Sequence, residues 1–252
     1  MLELNKVYLM DALELLKQIP DNSVDLILTD PPYNISQKND IRDRSNHGNP
    51  VVRRKSPLVF DFGVWDNKPR EEFLEFTKQW LIECCRVLKK DGTLISFFSK
   101  EDISYLGWVA KDYGVRTRTI YTWCKTNPIP SFRKVNYLSA TEFIWFGSKG
   151  SWTFNFIKQI DMFNYYSSSN ASSYGVTEHP TEKPLDLIKK FVSTHSNEGD
   201  LVIDPFMGSG TTALACRQLK RNFLGSDIDQ KYVDMSNNRT DEYNRQKDIF
   251  DY

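Results

Sequence analysis

Two short stretches of this 252-residue chain hold residue types whose spacing suits chemistry. The first is Asp30-Pro31-Pro32-Tyr33, which follows the apolar run Val24-Asp25-Leu26-Ile27-Leu28-Thr29. Successive prolines stiffen the chain, remove two N–H donors and leave backbone carbonyls free to accept hydrogen bonds. Asp30 adds an ionised acceptor and Tyr33 a flat ring, so the tetrapeptide gathers acceptors beneath a face on which a planar base can stack. An NH₂ group on such a base is what this combination fits. A proline turn with an Asx-type aspartate explains Asp-Pro alone. It explains less well the full tetrapeptide at a strand end together with a second site.

That second site is Asp204-Pro205-Phe206-Met207-Gly208-Ser209-Gly210, between the apolar Leu201-Val202-Ile203 and Thr211-Thr212. Gly208 and Gly210 let backbone approach a ligand closely, and a helix beginning beyond them presents unpaired N–H groups. A phosphate loop of the GxxxxGK[ST] type is excluded because its lysine is missing, and the dinucleotide fingerprint wants a third glycine where this chain has Thr212 or Ala213. Asp227 follows Gly208 by 19 residues, near the spacing at which an acid reaches a ribose hydroxyl pair. A nucleoside-type site remains. The competing reading is a tight turn that binds nothing, with Asp227 or Asp229 capping the next helix.

These residues need elements to hold them. Residues 24–29 read as a buried strand, and residues 11–19 before them as a short helix. Residues 69–90 carry Phe73, Phe76, Trp80, Leu81, Cys84, Val87 and Leu88 at the three-and-four spacing of an amphipathic helix, with Gly92 as its terminator. Strands are expected at 93–98, 118–124 and 141–146, and a helix at 185–195 opened by Pro184. The last unit reads as strand 201–204, helix 211–219, strand 223–226 and a closing helix from Gln230 onward. Alternating strands and helices imply an α/β fold, one doubly wound, mainly parallel sheet covered on both faces. Two stretches break the rhythm. Residues 36–57 hold six Lys/Arg against two Asp, and residues 164–175 are polar and tyrosine-rich. Loops this long inside a compact domain are usually functional or disordered.

Composition narrows the classes. With 40% hydrophobic and 13% aromatic residues the chain can bury a sizeable core, which excludes wholesale disorder. Lys+Arg and Asp+Glu balance at 33 each, so a polyanion must be met by a local basic patch. No apolar run approaches the roughly 18 residues of a membrane span, and residues 1–16 lack a signal-peptide pattern, so a soluble, cytoplasmic protein is expected. Cys84, Cys85, Cys124 and Cys216 form no CxxC pair and read as core residues in a reducing compartment, with no metal site indicated.

The two motifs together resemble those of the amino-group DNA methyltransferases, N6-adenine or N4-cytosine enzymes that use S-adenosylmethionine. Asp30-Pro31-Pro32-Tyr33 matches the family's catalytic motif and Asp204 to Gly210 its cofactor motif; His179-Pro180-Thr181-Glu182-Lys183-Pro184 resembles the element just ahead of the cofactor strand. Catalytic before cofactor motif is the order of the family's β group. The resemblance implies a seven-stranded, Rossmann-like methyltransferase sheet formed by a single domain over residues 1–252. It also implies that Asp204, Phe206, Gly208 and Gly210 belong to the cofactor site, that Thr181 and Lys183 approach the cofactor carboxylate, and that Asp227 holds the ribose. Many members carry Glu at that last position. Asp11 corresponds to an aspartate that contacts the adenine, although Asp11 with Glu14 is also a helix-capping pattern, the reading preferred here. His179 reads as a packed ring.

For the target, the resemblance implies double-stranded DNA with a flipped base stacked on Tyr33, Asp30 and the Pro31 carbonyl accepting from its amine. An Asp at the first catalytic position favours adenine and a Ser cytosine, which makes adenine N6 the expected target within a restriction-modification system. The alternatives are cytosine N4, an RNA adenine, or a cofactor- and DNA-binding protein without catalysis; a homodimer is left open. Arg42, Arg44, Arg53, Arg54 and Lys55 are candidate phosphate contacts, as are Arg116, Arg118, Lys125, Arg133 and Lys134. Sequence readout in the family falls in the variable part, here about residues 130–178.

Overall fold

The computed structural model describes residues 2–34, 68–128, 135, 137–169 and 182–250. Among them the chain runs β1 (Lys6–Leu9), α1 (Ala12–Lys17), β2 (Val24–Thr29), α2 (Arg70–Val87), β3 (Leu88–Phe98), α3 (Ile103–Ala110), β4 (Arg116–Lys125), β5 (Thr141–Ser148), β6 (Tyr165–Ser168), α4 (Leu185–His195), β7 (Leu201–Asp204), α5 (Thr211–Gln218), β8 (Asn222–Asp227) and α6 (Gln230–Phe250). The strands form one sheet in the order β1-β8-β7-β2-β3-β5-β4-β6. Every pairing is parallel except those of β5, which runs antiparallel to both β3 and β4.

Alternation along the strands divides the core. Ile27, Leu94, Trp145 and Ile203 face the side covered by α1, α2 and α3, where Leu15, Trp80, Cys84 and Leu106 are buried. Leu26, Leu28, Ile95, Phe97 and Val202 face α4, α5 and α6, with Leu187, Phe191, Ala213 and Val233. Fully burying such a side chain contributes roughly 1.5–3 kcal/mol, so the two clusters fix the sheet and with it the strand ends that carry the site. The cysteines sit as expected: Cys84, Cys85 and Cys216 are buried, Cys124 partly so, and all four are free. Burial pushes the Cys85 thiol up to about 12. No helix among the described residues is long and apolar enough to cross a membrane.

The expected doubly wound sheet is present, with eight strands among the described residues rather than seven. The addition is β6, which pairs with β4 in the register Thr122↔Tyr165. It lies within the stretch read as a polar loop; as an edge strand with half its residues exposed it needs no apolar pattern. Gly92 does not end α2. The helix stops at Val87 and β3 begins at the next residue, because Leu88 already pairs with Val24 while Val87 O accepts from Ser23 N. Two further elements carry no strong signal. β1 has only four residues, and the Asn237 side chain on α6 bonds the N–H and carbonyl of Val7 at 3.0 Å each. α3 has eight residues, Gly107 among them.

Candidate active site

The carboxyl ends of β2, β3, β7 and β8 share one edge of the sheet, and the antiparallel β5 brings its amino end to that edge. Both motifs lie there. In an open α/β sheet this edge is where ligands bind.

Asp204 ends β7 and is buried. Its Oδ1 accepts from Thr29 Oγ1 at 2.8 Å and from Phe206 N at 3.1 Å, and its Oδ2 from Thr212 Oγ1 at 2.8 Å. Burial pushes its carboxyl up to about 7, against the pull of those donors. Thr29 immediately precedes Asp30, so Asp204 joins the two motifs across neighbouring strands and supports the site from below.

The glycine turn is held on two sides. Gly208 (φ 52°) donates from its N to Asp227 Oδ2 at 3.0 Å, and its carbonyl accepts from Ser236 Oγ at 2.8 Å. Gly210 (φ 80°) caps α5, and a Cβ there would lie 2.7 Å from Ser236 Cα, so both backbone and space demand glycine. Asp227 Oδ1 accepts from Asp229 N at 2.9 Å, while Asp229 Oδ1 accepts from Lys231 N at 2.9 Å and opens α6. The two aspartates thus divide the work: one holds the glycine turn and the other caps the helix. Burial raises the Asp227 carboxyl, with the N–H donors opposing. Backbone N–H groups of Gly208, Asp229 and Ile228 all bear on this carboxylate, which leaves one of its roughly four acceptor positions for a ligand. Leu9, the register partner of Asp227, and Ile228 are exposed beside it and form an apolar ledge.

Asp11 caps α1, accepting from Leu13 N at 2.8 Å. Phe206 packs edge-on against Trp80 and Phe76, with ring centroids 5.8 Å and 6.1 Å away.

At the end of β2, Tyr33 donates its hydroxyl to Asp30 Oδ1 at 2.5 Å, and its ring tilts against Phe98 at a centroid distance of 6.2 Å. Pro31 is buried and Pro32 half-buried. Asn34, with φ 56°, exchanges two hydrogen bonds with the Lys68 backbone, at 2.8 Å and 2.7 Å, and so pins the chain just after the proline turn.

Lys183 pairs with Asp30 Oδ2. Its Nζ also lies 3.4 Å from Glu142 Oε2 and 5.1 Å from the Phe97 ring centroid. Burial alone would lower this ammonium, but the Asp30 and Glu142 carboxylates outweigh it and hold it above its ordinary value. Lys183 was expected to approach a cofactor carboxylate; here its charge is shared by two carboxylates of the protein. The preceding Glu182 reaches the other way, to Arg239 Nη2 at 2.9 Å and Thr211 Oγ1 at 3.4 Å, and Arg239 also donates to Ser209 O at 2.8 Å. Residues 182–183 therefore tie the glycine turn to the end of β2.

Several expected contacts go elsewhere or lie beyond view. Arg118 is exposed but stacks on Trp152 at 4.1 Å and donates to Ser148 Oγ and Gly150 O, and the largely buried Lys125 pairs with Glu142 Oε1 at 2.6 Å, so both have partners within the protein. Arg42, Arg44, Arg53, Arg54, Lys55, Arg133, Lys134, His179 and Thr181 lie outside the described residues. No group of three His, Cys, Asp or Glu suited to a metal is found among the described residues. Sequence reasoning missed Thr29, Glu142, Glu182, Ser236 and Arg239. Thr29 and Glu182 adjoin motif residues and were within reach; Glu142 comes from an antiparallel strand with no motif of its own.

A family model described as DNA methylase matches residues 24–238. The type II methyltransferase M.HpaI of Haemophilus parainfluenzae is 33% identical over 250 residues, covering 92% of this chain and 72% of that protein. M.HinfI of Haemophilus influenzae, also a type II methyltransferase, is 30% identical over 252 residues, covering 94% and 68%. The M1.HpyAVI-SAM complex superposes with a TM-score of 0.70 at 28% identity, over 93% of this chain and 98% of that one. The cytosine-N4-specific PvuII DNA methyltransferase shares the fold, with a TM-score of 0.69 at 22% identity over 95% and 91%.

Proposed function

The chain belongs to the DNA methylase family, and from that premise we propose that it methylates the N6 amine of adenine in double-stranded DNA as the modification enzyme of a restriction-modification system. The observation that carries this reading is Asp30. A carboxylate at the end of a buried strand, oriented by the Tyr33 hydroxyl and the Lys183 ammonium, directly follows the residue that holds Asp204 of the cofactor motif.

When bound, S-adenosylmethionine would supply an electrophilic methyl on a sulfonium: the S–C bond would break as the N–C bond forms and the amine would release one proton to solvent, leaving a thioether and a secondary amine. The residues present fit this donor. The glycine turn is held by Asp227 and Ser236 at the start of α5, Asp227 offers an acceptor to a ribose, and Leu9 and Ile228 offer an apolar ledge to an adenine. Phe206, Gly208 and Gly210 would flank the methionine portion, and Asp204 would act by fixing that turn.

Asp30 works on the amine. Its lone pair is delocalised into the base ring, so the NH₂ must be pyramidalised before it attacks in line with the departing sulfur. Hydrogen bonds to the Asp30 carboxylate and the Pro31 carbonyl favour that shape and stabilise the positive charge that develops on nitrogen. The Tyr33 ring supplies the stacking face for a base turned out of the duplex. Adenine rather than cytosine rests on Asp as the first residue of the catalytic motif.

The test is transfer of labelled methyl from S-adenosylmethionine by the purified chain to bacterial DNA that lacks methylated bases. Label in duplex DNA and none in RNA supports the reading. Label in RNA alone, or none anywhere, overturns it.

A further inference from the structure

The charges around Asp30 form a row of alternating sign: Asp30, Lys183, Glu142, Lys125. Its two ends differ. Lys125 holds Glu142 Oε1 at 2.6 Å, and its Nζ lies 5.1 Å from the Trp123 ring centroid, so that end is a closed ion pair backed by an aromatic face. Burial would raise the Glu142 carboxyl, but Lys183 and Lys125 outweigh it and keep it ionised. The other oxygen, Glu142 Oε2, is buried, accepts no hydrogen bond among the described residues, and faces Lys183 Nζ at 3.4 Å.

We propose that Glu142 is a positioning residue for methyl transfer: it shares the Lys183 ammonium with Asp30 and takes it over when Asp30 turns to the target amine. This rests on the role given to Asp30 above. Before substrate arrives, Lys183 and the Tyr33 hydroxyl keep Asp30 aimed. During transfer the same ion pair works against the reaction, because it competes for the carboxylate and places a fixed cation near a nitrogen that is becoming cationic. A second carboxylate removes the conflict. A shift of about half an ångström would bring Nζ to the roughly 2.8 Å of a charge-assisted hydrogen bond with Glu142 Oε2.

The backbone suits such a short movement. Glu182 is fixed to Arg239 and Thr211, and Pro184 opens α4, so the lysine is anchored on both sides and only its side-chain tip need move. The Phe97 ring, 5.1 Å from Nζ, offers the ammonium a continuous partner.

A double-mutant cycle on the full chain tests this. Single-turnover methyl transfer to DNA is measured for the wild type, Glu142→Gln, Lys183→Met and the double variant, with dissociation constants for S-adenosylmethionine and DNA. Glu142→Gln is expected to lower the rate about tenfold or more while both dissociation constants stay within about twofold, and Glu142→Asp to recover part of the loss. In the Lys183→Met background the glutamate substitution is expected to change the rate less than about twofold, because Glu142 acts only through the lysine. A wild-type rate in Glu142→Gln, or an equal loss with and without Lys183, overturns the proposal. If Glu142→Gln fails to melt cooperatively, Glu142→Asp in both backgrounds completes the cycle, and the same equality overturns it. Wild-type activity that survives Asp30→Ala would instead refute the role of Asp30, and this inference with it, whatever the cycle gives.

Discussion

The carboxylates of the glycine turn and the carboxylate at the end of β2 are held by different kinds of partner. Asp204 and Asp227 accept from hydroxyls and backbone N–H groups, dipoles fixed on β2, on α5 and in the turns that follow β7 and β8. Asp30 is held by the tips of two long side chains, the Tyr33 hydroxyl and the Lys183 ammonium. Fixed dipoles suit a site whose task is to bind one ligand shape. Movable partners suit a group that must be held in place at rest and then give its lone pairs to a substrate. The two regions meet at residues 182–183, where one glutamate faces the turn and the next lysine faces the acid.

The largest effect should separate these regions. Asp30→Ala is expected to lower methyl transfer by about 10² to 10³ or more, as when other charge-stabilising acceptors are lost, while S-adenosylmethionine affinity changes little. Equal losses in rate and cofactor affinity would erase the distinction. The converse substitution is Gly210→Ala. Left-handed backbone costs an L-residue about 1–2 kcal/mol, and the contact with Ser236 adds to it. Cofactor affinity is expected to fall at least about tenfold, read by calorimetric titration; unchanged affinity would mean that the turn does not carry the cofactor.

A smaller effect sharpens the view of Tyr33. Tyr33→Phe removes the hydroxyl that orients Asp30, and Tyr33→Ala removes the ring as well. Stacking is worth roughly 1 to 3 kcal/mol per base, so the alanine variant is expected to be slower than the phenylalanine variant in single-turnover assays. Equal rates would assign the whole role of Tyr33 to its hydroxyl.

The smallest effect is a pH slope in stability. Burial raises the Asp204 carboxyl to about 7 in the folded chain, against about 4 in an unfolded one. The sign follows from linkage: the contribution of this group is full below pH 4 and is lost as pH rises towards 7, since the unfolded chain releases the proton first. The melting temperature of Asp204→Asn relative to wild type is therefore expected to climb between pH 4 and pH 7. A flat difference would show that Asp204 is ionised in the fold throughout.

Legibility in the sequence followed the same division. The glycine turn could be placed almost residue by residue, because strand 201–204, its glycines and the strand that ends at Asp227 depend on local rules of turn and helix start. The position of Asp30 to Tyr33 at a strand end was equally plain, and that strand was placed with the observed bounds. What surrounds Asp30 was not. Glu142 is brought near by an antiparallel strand, a tertiary event with no local trace, and the charge of Lys125 gave no sign that it would be paired inside the fold. β6 and β1 were missed because short edge strands need little hydrophobic pattern.

The base that carries the new methyl group distinguishes the adenine reading from its cytosine rival most directly. DNA methylated by the purified chain, digested to nucleosides and resolved by mass spectrometry, is predicted to contain N6-methyladenine and no N4-methylcytosine. N4-methylcytosine in its place would contradict the adenine assignment while leaving the fold and the methyl donor standing.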